Sequence, residues 1–340
     1  MGKVNKLYMD VIYFLLTVLF FYTQLHIAIE FAWQKSISLS TLILALLFLK
    51  IGEAFHEFFD AGSIRMWILM AAFASIVIIF NPHYLFFFIF GLSMMKVRST
   101  VAKYSSKKVK IVARTLGFLV APLSSKTIYL SYVIILFVAC LLYRDLGQIK
   151  LKLKLYVPKI KVNFPVYWTM GLHHAHYFAY AYTIPYLFSI RTDIPYWLMG
   201  LIFYIGWAAY NAYEWFLKPK WRYFMFGHII ALIALVGLYY SNNDIGISFW
   251  WFMTGLGGGT VYMLHSFLID QEKSSSREML IAEGIGHVSG ILAWGLTSLF
   301  LSLEYTLIVG AILAFATTAM AIYSKNKSLN KVHVMEQKTL

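Results

Sequence analysis

Charge is what this sequence has least of. Asp, Glu, Lys and Arg make up 13% of its 340 residues, against about 25% in an ordinary soluble domain. Hydrophobic residues make up 60%. A soluble fold of this length could not hide so much apolar surface, which excludes a lone water-soluble enzyme. Disorder is excluded by the same figures, since it needs low hydrophobicity and high charge. Cysteine is nearly missing. Cys140 stands alone in the apolar run from Tyr132 to Leu142, so no internal disulfide forms and the side chain reads as a small buried hydrophobe. Acids are also scarce, at 15 against 29 Lys plus Arg, for a net charge of +14. What remains is a polytopic membrane protein. The 18% aromatic content suits a chain that crosses many lipid interfaces.

A helix needs about 20 residues to cross the hydrocarbon core. Apolar runs fall at about 9–32, 38–59, 65–81, 84–101, 109–125, 127–143, 165–188, 194–217, 222–240, 246–269, 278–301 and 304–324. Turn residues separate them, as in Asn81-Pro82 and Ser241-Asn242-Asn243-Asp244. Lys3 and Lys6 precede the first run and no small-residue cleavage site follows, so a retained first helix is expected. Alternate breaks should face opposite sides. One side then receives 24 Lys and Arg and the other receives 3, Lys35, Lys126 and Arg191. Lys50 and Arg114 fall inside runs. That asymmetry is a positive-inside code and predicts both termini in the cytoplasm of a cell-membrane protein. The basic segments 96–110 and 144–161 are topology determinants beside anionic lipid, and no nucleic-acid partner is expected.

The basic stretch 144–164 lies near the middle of the chain, where a duplication would have its joint. Ile51-Gly52-x-Ala54 returns as Ile205-Gly206-x-Ala208, with Asp60 and Glu214 each six residues after the alanine. Phe88-x-x-Gly91-Leu92 returns as Phe252-x-x-Gly255-Leu256. Ala113-Arg114-x-x-Gly117 returns as Ala282-Glu283-x-x-Gly286. The matches are in order and each lies six runs apart. The expected organisation is an N-terminal six-helix half (1–143), a basic cytoplasmic linker (144–164), a C-terminal six-helix half (165–324) and a cytoplasmic tail (325–340). The fold class is all-α, with about 12 transmembrane helices in two pseudo-symmetric halves.

Two parallel six-helix halves joined by a basic linker resemble the major facilitator superfamily of secondary transporters, over about residues 8–324. The family's loop between helices 2 and 3 reads Gly-x-x-x-Asp-Arg-x-Gly-Arg-Arg. Here His56-Glu-Phe-Phe-Asp60-Ala-Gly-Ser-Ile-Arg65 keeps the acid and the last arginine and departs at His56 and Ala61. Ala121-Pro122-Leu123-Ser124-Ser125 is a small-residue echo of the Gly-Pro-x-x-Gly-Gly of family antiporters. The resemblance implies a substrate cavity bordered by helices 1 and 7.

Ionisable groups inside a bilayer are costly and each is a candidate for function. In the seventh run, His173 and His176 share a face while His174 is turned away by about 100°. They read as substrate or proton-exchange groups, or as structural histidines bonding neighbouring helices. Three or four convergent ligands make a metal site, and a His-x-x-His pair alone does not, so no metal and no cofactor are expected. The first run offers Gln24 and His26, with Glu30 near the outer rim. The second offers Glu53, His56 and Glu57 on one face, with Glu53 the carboxyl placed to carry a proton. The tenth offers Tyr262 and His265. Its Gly255-x-Gly257-Gly258-Gly259 run lacks a following Lys-Ser/Thr and reads as helix bending or close contact, not a phosphate loop.

Family packing sets helix 2 against 11 and helix 5 against 8. With the repeat, that implies an inner gate of Asp60, Arg114, Glu214, Arg277 and Glu283. The leading expectation is a monomeric, proton-coupled exporter of a small molecule, in contact with membrane lipids and working by alternating access. A membrane-embedded His-dependent enzyme acting in lipid or acyl transfer is one alternative. A non-transporting sensor or immunity protein on a transporter scaffold is the other.

Overall fold

The computed structural model describes residues 6–60, 63–101, 107–123, 126–142, 154–155, 164–216, 220–261, 263–264 and 276–338. Each apolar run of the sequence holds helix. The first six give α1 (Lys6–Ile29), α2 (Leu39–Phe55), α3 (Ile64–Phe80), α4 (Tyr84–Val101), α5 (Lys107–Leu123) and α6 (Lys126–Leu142). The rest give α7 (Phe164–Phe178), α8 (Thr183–Arg191), α9 (Tyr196–Phe216), α10 (Trp221–Tyr240), α11 (Asp244–Gly258), α12 (Ser276–Phe300) and α13 (Tyr305–Lys338). Polar residues in the breaks start several of them. Ser38, Ser63 and Asn243 accept from the backbone N–H of Thr41, Met66 and Gly246, which occupies one otherwise unpaired donor in each first turn.

Among the described residues, five helices are long and apolar enough to cross a membrane: Leu7–Ala32, Tyr84–Val101, Trp221–Tyr240, Met279–Phe300 and Tyr305–Lys325. Ile64–Phe80, Tyr129–Leu141 and Trp197–Tyr210 are apolar but shorter. The run 165–188, expected as one span, is two helices with a turn over 179–182. Pro185 explains the break. It has no N–H to give the Ala181 carbonyl, and its ring excludes a continuous helix there. The chain tightens instead, with Thr183 N–H bonded to the Tyr180 carbonyl at 2.8 Å and Ile184 N–H to that of Ala181 at 3.4 Å. A second departure from an all-helical chain is small. Phe59–Asp60 and Lys154–Leu155 pair as two-residue antiparallel strands, Phe59 opposite Leu155.

The chain divides into two compact units, Met1–Pro158 with Asp193–Tyr204, and Lys159–Thr192 with Ile205–Leu340. Within the first, α2 packs on α4, α1 on α5, and α3 on α4 and α6. Within the second, α7 packs on α12 and α13, and α10 on α11 and α13. The repeat glycines mark these crossings. A Cβ at Gly91 would lie 2.3 Å from the Leu49 carbonyl oxygen, and one at Gly52 2.2 Å from that of Phe88. In the second unit a Cβ at Gly255 would lie 2.1 Å from the Gly206 carbonyl oxygen. Only glycine allows the backbones so close.

The outward faces are apolar. Ile134, Ile135, Phe137 and Val138 are exposed on α6, as are Ile312 and Phe315 on α13. In water such patches would drive aggregation; against acyl chains they are solvated.

Candidate functional site

Each unit buries polar side chains among its helices. In the first, α2 carries Lys50 and Glu53 three residues apart on one face, 2% and 5% exposed. Lys50 Nζ donates to both Glu53 carboxylate oxygens, at 2.8 and 3.0 Å. It also donates to Gln24 Oε1 on α1 at 3.4 Å. The Arg98 guanidinium from α4 lies 4.3 Å from the centre of the Phe20 ring, and Lys50 Nζ lies 5.7 Å from it. Two cations therefore share one aromatic ring beside a single buried carboxylate, an arrangement favoured by the ring's quadrupole. Desolvating an ion pair can outweigh its Coulomb attraction, and apolar replacements are often as stable. Stability alone is thus a weak reason to keep this pair.

A second face of α1 opens on a cavity of about 180 Å³. Tyr22, Thr23, His26, Glu30 and Tyr129 line it. His26 Nε2 approaches Glu30 Oε1 to 3.3 Å, and the Thr23 and Tyr129 hydroxyls bond at 2.9 Å. Glu30 begins a single π-helical turn, Glu30–Gln34, which ends at Lys35 in the left-handed region (φ 51°). Such turns occur often at functional sites. His26 thus lines the cavity, while Gln24, more than half a helical turn away, meets Lys50.

In the second unit α7 carries the histidines. His173 and His176 are fully buried and face α10, which adds His228. His228 Nδ1–H donates to the Phe224 carbonyl at 2.8 Å, and His176 Nδ1–H donates to the His173 carbonyl at 2.6 Å. Carbonyls only accept, so both rings carry their proton on Nδ1 when neutral. His228 Nε2 is then an acceptor, and His173 Nδ1 lies 2.9 Å from it. His173 Nε2 is 3.3 Å from the Tyr210 hydroxyl of α9. His176 Nε2 is buried with no hydrogen-bond partner among the described residues. One ligand nitrogen from each of these three rings lies within 4.8 Å of the other two. His174 faces α12 instead, with its Nδ1 3.1 Å from His287 Nε2 and its Nε2 4.0 Å from Glu283 Oε1.

Of the residues singled out in the sequence, Gln24 and Glu53 come together, as do His173 and His176, and Glu283 stands beside His174. Tyr262 and His265 lie outside the described residues, and so do the side chains of Asp60, Arg114, Glu214 and Arg277. Sequence reasoning misses three participants. Lys50 reads there only as a charge inside a run, although its spacing to Glu53 is a usable signal. His228 and His287 each stand alone in an apolar run, and nothing local in sequence joins them to α7.

No family model and no curated protein sequence matches the chain. Solved structures do. The chain is similar to the human organic anion transporter MFSD10 (TETRAN), at 12% identity and a TM-score of 0.59, over 94% of this chain and 100% of that one. It is also similar to a point mutant of the nucleoside transporter NupG, at 14% identity and a TM-score of 0.65, over 93% and 99%. At these identities the likeness establishes the fold alone, which is shared with these two transporter structures over nearly the whole chain. With its apolar helices, that makes the chain a multi-pass membrane protein.

Proposed function

We propose that this chain is a secondary active transporter that moves a small molecule across the cell membrane by alternating access, coupled to protons and directed outward. The observation that carries the reading is the buried Lys50–Glu53 pair with Gln24, inside a fold shared with two transporters. A carboxylate and an amine that exchange partners as access alternates can take up and release a proton, and such groups in membrane helices are rarely kept for stability. The cavity lined by His26, Glu30 and Tyr129 supplies donors and acceptors for a polar cargo. The helix-5 echo at Ala121-Pro122 favours export over import, and the charge asymmetry supports cytoplasmic termini. The names of the similar structures point the substrate search toward organic anions and nucleosides.

The test is flux in proteoliposomes with an imposed proton gradient and a panel of both classes. Substrate-dependent proton movement is expected in the native protein and should vanish in Glu53→Gln. If substrate moves and Glu53→Gln still carries protons with it, the coupling site is elsewhere. If no member of the panel moves under any gradient, transport itself loses its support.

A further inference from the structure

We infer that His173, His176 and His228 form a binding site for a borderline divalent transition metal of the Zn²⁺ type, within the second unit and independent of the transport reading. The first ground is convergence. Three fully buried imidazoles from two helices place one nitrogen each within 4.8 Å of the others. Around a tetrahedral ion with Zn–N bonds of about 2.0–2.1 Å, ligand nitrogens lie about 3.4 Å apart. The His173 Nδ1 to His228 Nε2 separation is 2.9 Å. One pair thus stands inside that spacing and the whole set within 4.8 Å, and side-chain rotation about χ1 and χ2 is what would bring the three nitrogens to it.

The second ground is the protonation pattern. The Phe224 and His173 carbonyls fix the proton of His228 and His176 on Nδ1. Both Nε2 atoms are thereby acceptors, that of His228 2.9 Å from His173 Nδ1 and that of His176 without a partner among the described residues. A backbone carbonyl on the far nitrogen is a common way for a protein to orient a metal-bound histidine. The His173 ring joins by a change of tautomer. Its Nδ1 proton, which bonds His228 Nε2 without an ion, moves to Nε2 to donate to the Tyr210 oxygen, and its Nδ1 lone pair then joins the other two. Without an ion the three rings form only part of a network, because His176 Nε2 has no donor among the described residues. A buried ring nitrogen left that way requires an explanation, and a metal supplies one that unites all three rings.

The chemistry of the set defines the ion. Three neutral nitrogen donors suit Zn²⁺, Co²⁺ or Ni²⁺ and discriminate against Mg²⁺ and Ca²⁺, which need oxygen. None of the three ligands is charged, so the ion keeps its double charge and its fourth position takes water, hydroxide or another anion.

The test uses the full chain, purified in detergent through a tag without histidine, stripped with chelator and titrated with Co²⁺. One equivalent should bind with the intense visible bands of a tetrahedral ion, Zn²⁺ should displace it, and Mg²⁺ should not. His176→Gln and His228→Gln should each weaken binding by at least about tenfold. His287→Gln, a histidine of the neighbouring pair, should leave it unchanged. Absence of a stoichiometric tetrahedral spectrum in the native protein would overturn the proposal whatever the variants do. So would His287→Gln weakening binding as much as His228→Gln. If a ligand variant fails to fold, X-ray absorption of the native Zn²⁺ complex decides, with three imidazoles expected and two or fewer overturning the site.

Discussion

The first unit buries an acid–base pair and the second a cluster of imidazoles, beside helix crossings that are alike in their glycines. A Cβ at Gly117 would meet the Phe21 Cβ and the Val18 carbonyl; one at its repeat mate Gly286 would meet the His174 Cβ and the Gly171 carbonyl. That crossing aligns Val18 with Gly171 and Phe21 with His174. Phe20 and Thr23 then stand where His173 and His176 stand. The Gly52–Gly206 match likewise sets Glu53 against Trp207 and Lys50 against Tyr204. The glycines that let helices touch are shared, and the polar residues are not. Packing constrains a crossing through backbone distance, which few substitutions satisfy. The polar group one residue away is limited only by its partners, so each unit carries its own chemistry on the same crossing.

The largest expected effect breaks the charged side of this comparison. Glu53→Gln or Lys50→Met leaves one buried charge without its partner and should destabilise the protein by about 3–5 kcal/mol. The double variant Lys50→Met, Glu53→Met should regain most of that loss while remaining uncoupled in flux. Thermal unfolding in detergent measures both. A double variant as unstable as either single one would mean that the pair holds the first unit together. Next come the shared crossings. Gly91→Ala and Gly255→Ala both drive a methyl group into a backbone carbonyl and should each cost about 1–3 kcal/mol. Equal losses would support the equivalence of the crossings. A clear loss in one unit only would break it.

Much of this architecture is legible in the sequence. Glycine spacing points to the crossings because close backbone approach has few sequence solutions. Hydropathy finds each helix but smooths over Pro185, since a window average does not register one missing N–H. The Lys50–Glu53 pair is readable from its i, i+3 spacing, yet a single lysine in an apolar run is easily taken for a topology charge. The imidazole cluster is half legible. His173 and His176 share a face by helical geometry. His228 sits 52 residues beyond His176 in sequence, and only the packing of α7 and α10 into one unit brings them together. The side chains of Arg114 and Glu214 lie outside the described residues.

The smallest expected effect tests the neutral side. His174→Phe installs in the second unit the residue that the aligned crossing carries in the first, Phe21. An aromatic ring is kept, and what is lost is the bond to His287 and the approach to Glu283. Hydrogen bonds across membrane helices average about 0.6 kcal/mol, so the shift in thermal unfolding should be slight. Co²⁺ binding should persist, because His174 faces α12 and the three ligand rings converge between α7 and α10. If the variant unfolds far more easily, the two imidazole groups act as one network and cannot be treated as separate sites. If stability holds and Co²⁺ binding falls, His174 orients the His173 ring beside it, whose centre lies 4.8 Å away. The variant therefore separates a ring that packs from a ring that positions, which geometry alone does not do for adjacent histidines on one helix.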